Sequence, residues 1–134
     1  MPQFSALLPV FAQDEALHRV LESIDHGESG CVVAPAGARI PLIASMAQRR
    51  DKTIYVVVPT EREAEETATA LRAWVDDVEV FPSWETLPHE RLSPQVDTMA
   101  QRIAVLRRLI HPQSGDEHAG ALNVVVIPVR ALMQ

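Results

Sequence analysis

Two stretches constrain the fold of this chain more than any others. Thr53 to Val58 and Leu122 to Ile127 are dominated by apolar, largely β-branched side chains and lack a regular polar alternation. A sheet with one wet face alternates apolar and polar residues. Runs without that alternation read as parallel strands covered on both sides. Cys31-Val32-Val33 and Val78 to Phe81 are shorter runs of the same kind. The sequence therefore predicts a parallel sheet of about four strands.

The intervening segments have helical spacing. Ala16, Leu17, Val20, Leu21 and Ile24 share one helical face, with Asp14 as N-cap and Gly27 as stop. Leu42, Ile43 and Met46 predict a second helix, with Pro41 in its first turn, where a missing N–H is harmless. Thr60 and Glu63 form a capping box opening a third helix, with Ala64, Ala68, Leu71 and Trp74 or Val75 inward. Ser93-Pro94 caps a fourth, whose stripe is Met99, Ile103, Leu106 and Ile110, with Arg102, Arg107 and Arg108 left to solvent. Alternating helix and apolar strand gives an α/β fold with helices on both faces of the sheet. The sequence stops at Val129 to Gln134, within what reads as a new helix, so we expect a piece of a longer chain.

The 134 residues carry a net charge of −6 with scattered basic residues, which argues against a nucleic-acid clamp in this segment. Cys31 is the one cysteine, which excludes an internal disulfide, and is expected to be buried in its strand. The five histidines form no i,i+4 pair, so no metal site is expected. No apolar run reaches the length of a membrane span, and Met1 to Val10 lacks a signal-peptide pattern; we expect a cytoplasmic protein without membrane contact.

One loop stands where a phosphate loop belongs. A working loop reads G-x-x-x-x-G-K-[ST] between a strand and a helix; its glycines wrap the phosphates, its Lys reaches them and its hydroxyl holds magnesium. The corresponding residues are Val33, Ala34, Pro35, Ala36, Gly37, Ala38, Arg39 and Ile40. Val33 and Ala38 replace the glycines, Arg39 replaces Lys, and Ile40 offers no oxygen to a metal. Pro35 removes an N–H donor, and guanidinium is a poor substitute for a compact ammonium in a tight loop. Spacing alone leaves two readings open: a turn in an unrelated α/β protein, or a ruined ATP site.

Further segments resemble a known family. Pro59-Thr60-Glu61-Arg62-Glu63-Ala64 looks like the second conserved motif of superfamily-two helicases. The run from Phe81-Pro82-Ser83-Trp84-Glu85 to Ser93-Pro94, then Asp97-Thr98 and Arg102 to Leu109, resembles the N-terminal region of bacterial transcription-repair coupling factors (Mfd). Val125 to Gln134 looks like that family as well, so the resemblance spans most of the chain from about Gly30. It implies a degenerate RecA-like, UvrB-like module that has lost its ATP site. Residues 1–134 would be the first segment of that module, ending before the UvrA-binding subdomain. In the intact factor, the resemblance implies, the module helps recruit UvrA. A separate motor uses ATP and magnesium to translocate on double-stranded DNA and displace stalled RNA polymerase. This segment would hold no cofactor and act as a non-catalytic scaffold among the factor's other domains. Two rival readings are weak ATP binding through Arg39 and a stand-alone interaction module.

Two tempting motifs have simpler explanations. Asp116-Glu117-His118-Ala119 resembles a DExH box but sits in a polar loop, without the buried strand that would aim Asp at magnesium. Trp84, Glu85, His89, Glu90 and Arg91 lie in a proline-bearing connection. It reads as a structural loop anchored by Trp84 and Leu87, with Trp84, His89, Glu90 and Arg91 as candidate contacts for DNA or a partner. Arg49-Arg50 and Arg107-Arg108 read as solvated pairs, and Trp74 as core.

Overall fold

The computed structural model describes residues 2–49, 52–85, 95–113 and 120–134. A 3-10 turn at Ser5–Leu7 leads into α1 (Leu8–Phe11), followed by α2 (Glu15–Asp25), α3 (Arg39–Arg49), β1 (Ile54–Val58) and α4 (Glu61–Arg72). Next come β2 (Val78–Val80), α5 (Val96–Ile110), β3 (Val124–Pro128) and α6 (Val129–Leu132). The sheet is parallel and ordered β1-β3-β2, with Ile54 and Val78 both level with Val124.

Both predicted long strands form, and β3 is buried along its whole length because it pairs on both edges and is covered on both faces. Alternate residues feed two cores. Val124 and Val126 join Val78 and Val80 beneath Ala44 and Ala47 of α3, Ala64, Ala68 and Leu71 of α4, and Leu8 of α1. Val125 and Ile127 face Val105 of α5, Leu122 and Ala131, with Phe81 and Leu109 packed alongside. Alanines at 64 and 68, each at zero exposure, let α4 approach the sheet closely.

The local signals for helix starts hold at two sites. The Asp14 carboxylate accepts the Leu17 N–H at 2.9 Å. The Thr60 hydroxyl oxygen accepts the Glu63 N–H at 3.2 Å. Pro41 is buried within the first turn of α3. Trp74 is half-buried against the core, its ring 5.4 Å from Phe4 and 5.6 Å from Phe11 between centroids. The aromatic contacts of this N-terminal stretch were not legible as a helical pattern, since α1 is only four residues long.

Four expectations are corrected. The sheet described has three strands, not four: Cys31-Val32-Val33 pairs with no strand, Val33 is 96% exposed, and Cys31 is exposed rather than buried. Both edges of β3 are already taken by β1 and β2, so a further apolar run finds no central position. Second, β1 is covered on one face only; Tyr55 and Val57, level with Val125 and Ile127, are more than half exposed. Third, Met99, Ile103, Leu106 and Ile110 of α5 lie on the exposed side of the helix, while Arg102 and Arg108 turn towards the sheet end. Their partners explain the reversal, as given below. Fourth, Arg49 is not merely solvated: it pairs with Asp25 at 3.2 Å and ties α2 to α3. Arg50, the Ser93-Pro94 cap and the 116–119 motif lie outside the described residues; Gln95 is the N-cap of α5.

Candidate functional site at the carboxyl edge of the sheet

In parallel α/β sheets the ends of the strands open onto the helix-start loops, and ligands gather there. Two features occupy this region of the chain. The first is the loop preceding α3. Pro35 is extended, Ala36–Ala38 form one 3-10 turn in which the Ala38 N–H donates to the Pro35 carbonyl at 2.9 Å, and α3 begins at Arg39. Arg39 is exposed, whereas Ile40 packs against the main core. The side chain in the metal-hydroxyl position thus points into hydrocarbon. Pro41 withholds another N–H from the helix start, and Pro35 one from the loop.

Val32, Val33, Ala34, Pro35, Ala38 and Pro41 form one wall of a cleft of about 380 Å³. The opposite wall is apolar and belongs to α1 and α2, with Phe11, Leu17 and Val20. Among the described residues Asp14 is the one charged residue along it, and its carboxylate already caps α2. Such a lining is wrong for a triphosphate, which needs converging N–H groups and cations.

The second feature is built from residues after β1 and β2. Glu61, in the first turn of α4, accepts the Ser83 N–H at 2.7 Å and also the Ser83 hydroxyl. Ser83 is buried, so this carboxylate satisfies both of its donors. Arg102 reaches across from α5. Its guanidinium lies 4.1 Å from the Phe81 ring centroid and 4.4 Å from that of Trp84, and donates to the Pro82 carbonyl at 2.6 Å. Burial pulls the Arg102 guanidinium below its ordinary value, with the Glu61 charge opposing that shift. The Trp84 backbone N–H donates to the Gln134 side-chain oxygen at 2.7 Å. Glu85 accepts the Thr98 hydroxyl and, at 3.4 Å, the Gln95 N–H; the Thr98 bond chiefly holds its carboxyl below the usual range.

Residues 81–85 are therefore clamped by α4, α5 and the final turn of the chain. Trp84 is held by the Arg102 guanidinium and the Gln134 side chain. His89, Glu90, Arg91 and Leu87 lie outside the described residues. Sequence reasoning missed Glu61, Arg102 and Gln134. Glu61 figured only within the Pro59 to Ala64 motif and Arg102 was read as open to solvent, and their partners are 18 or more residues away.

At the far end of the sheet Arg108, only 15% exposed, serves two carboxylates and two carbonyls. It pairs with Asp77 and, at 3.3 Å, with Glu79, and donates to Gly120 at 3.2 Å and Ala121 at 3.3 Å. These contacts draw the arginine side of α5 inward.

The run 81–85 and its α5 clamp coincide with the stretch whose wording resembled the coupling factors, and comparison with known proteins decides the matter. The chain is 49% identical to the transcription-repair-coupling factor of Mycobacterium tuberculosis over 105 residues, 77% of its own length. It is 29% identical to that of Haemophilus influenzae over 82% of its length, and 28% identical to that of Escherichia coli over 69%. The chain is homologous to a segment of the transcription-repair-coupling factors. It spans only 8% or 9% of the length of these relatives. No family model matches the sequence. Among the described residues, no helix of the chain is long and apolar enough to cross a membrane.

Proposed function

We propose that this segment is a non-catalytic scaffold within a transcription-repair coupling factor, a degenerate RecA-like and UvrB-like unit. The observation that carries the reading is the packing of Ile40 against the core at the metal-hydroxyl position, beside a cleft lined, among the described residues, with hydrocarbon and one carboxylate. ATP and magnesium chemistry then belongs to a motor elsewhere in the polypeptide. Residues Val33 to Ile40 keep the loop-to-helix shape without its chemistry. The scaffold's task is to position a neighbouring subdomain for UvrA while the motor acts on double-stranded DNA and stalled RNA polymerase, in the cytoplasm. The name shared by the relatives supports the repair-coupling part of this reading.

Calorimetry of the segment with ATP and magnesium tests it. The expected result is no binding tighter than about 100 μM, roughly −5.5 kcal/mol. Tighter binding that Arg39→Ala removes would replace the scaffold by a nucleotide-binding domain.

A further inference from the structure

The side of the sheet that carries α5 is only half covered. Val125 and Ile127 of β3 lie beneath the helix, but their neighbours Tyr55 and Val57 on β1 are 55% and 52% exposed. Tyr55 and Leu109 line the same groove between β1 and α5. The outward face of α5 is apolar too: Val96, Met99, Ile103, Leu106 and Ile110 are all exposed, Ile103 by 58%. Their spacing of three and four residues is the seam spacing that receives another helix. Ala100 and Ala104, also exposed, leave room for close approach. Arg107 is the basic residue exposed along this apolar face, whereas the arginines at 102 and 108 are committed elsewhere.

We propose that this face is the docking site for an amphipathic helix supplied by the remainder of the coupling-factor polypeptide, lying beside α5 over β1. This rests on the reading of the chain as a segment of that longer factor. Two observations favour a tethered helix over a second copy. A stable free dimer needs about 800 Å² and roughly 20–30 residues from each partner, far more than the nine exposed apolar side chains here. Two copies would also bring together chains of net charge −6 each. A tether removes the first difficulty, since a linked helix faces its site at an effective concentration in the millimolar range. The relatives, of which this segment is 8% or 9%, contain ample chain to supply it.

The test uses the long coupling-factor polypeptide carrying this segment, with p-benzoylphenylalanine in place of Ile103 and, as control, of exposed Arg19 on α2. Irradiation should give a crosslink within one polypeptide from position 103, mapped by peptide mass spectrometry to a helical segment beyond residue 134. A product of twice the mass, a crosslink to RNA polymerase, UvrA or DNA, or no yield above the control would overturn the proposal. A smaller probe guards against a misfolded variant. With Cys31→Ser in place, Ile103→Cys should react with a maleimide at least tenfold more slowly than Arg19→Cys, read peptide by peptide; equal rates would also overturn it. ATP binding in the earlier titration would remove the scaffold reading without altering either outcome, so the two failures are distinguishable.

Discussion

The Glu61 carboxylate accepts the Ser83 N–H at 2.7 Å, joining the first turn of α4 to the loop that leaves β2. Because Ser83 is buried, loss of this acceptor leaves two donors without a partner. Glu61→Ala should therefore destabilise the fold by about 1–2 kcal/mol. Urea unfolding measures the loss, and Trp84 emission should shift to the red as the loop loosens. Unchanged stability and emission would show that the contact is incidental.

The start of α4 offers a separate test. Thr60→Ala should cost about 1 kcal/mol, because the Glu63 N–H loses its side-chain acceptor. Thr60→Ser should recover most of it, as judged by the shift in denaturation midpoint.

Acidification should act on the start of α5. The Glu85 carboxyl is held below its ordinary value of 4.5 chiefly by the Thr98 hydroxyl. A depressed carboxyl contributes stability that is fully present above its unfolded value and is lost as pH falls through the lower folded one. Below about pH 4.5 the first turn of α5 should loosen, and the carbon chemical shift of the Glu85 carboxyl should report its low titration midpoint. Thr98→Val should move that midpoint upward.

Arg108 makes a further prediction through charge. Arg108→Met should destabilise by about 1–2 kcal/mol, tempered because Asp77 is half exposed to solvent. Asp77 has a positive φ of 55°, a conformation that Asn tolerates. Asp77→Asn should therefore lose the ion pair alone, and its effect should shrink at high salt in thermal melts.

The close approach of α4 is testable by volume. Ala68 has zero exposure beneath the sheet, so Ala68→Leu should cost about 1–3 kcal/mol by overpacking, measured by urea unfolding.

The order of helices and strands was written in local residues. β-branched runs gave β1 and β3, Asp14 and Thr60 gave two helix starts, and Ala64, Ala68 and Leu71 gave an inward face, because each signal acts within one turn or one strand. Composition likewise supplied the chemical objection to ATP at Val33 to Ile40. Tertiary structure alone decided which side of α5 faces in. Apolar spacing pointed to Met99, Ile103 and Leu106. The carboxylates of Asp77 and Glu79 and the rings of Phe81 and Trp84 instead hold Arg108 and Arg102, and these partners are 18 or more residues away in sequence. Pairing also decided that Cys31 to Val33 joins no strand: the sheet order is β1-β3-β2, and this run pairs with neither edge strand. A helical period can define a stripe; what lies across the sheet determines whether that stripe is covered.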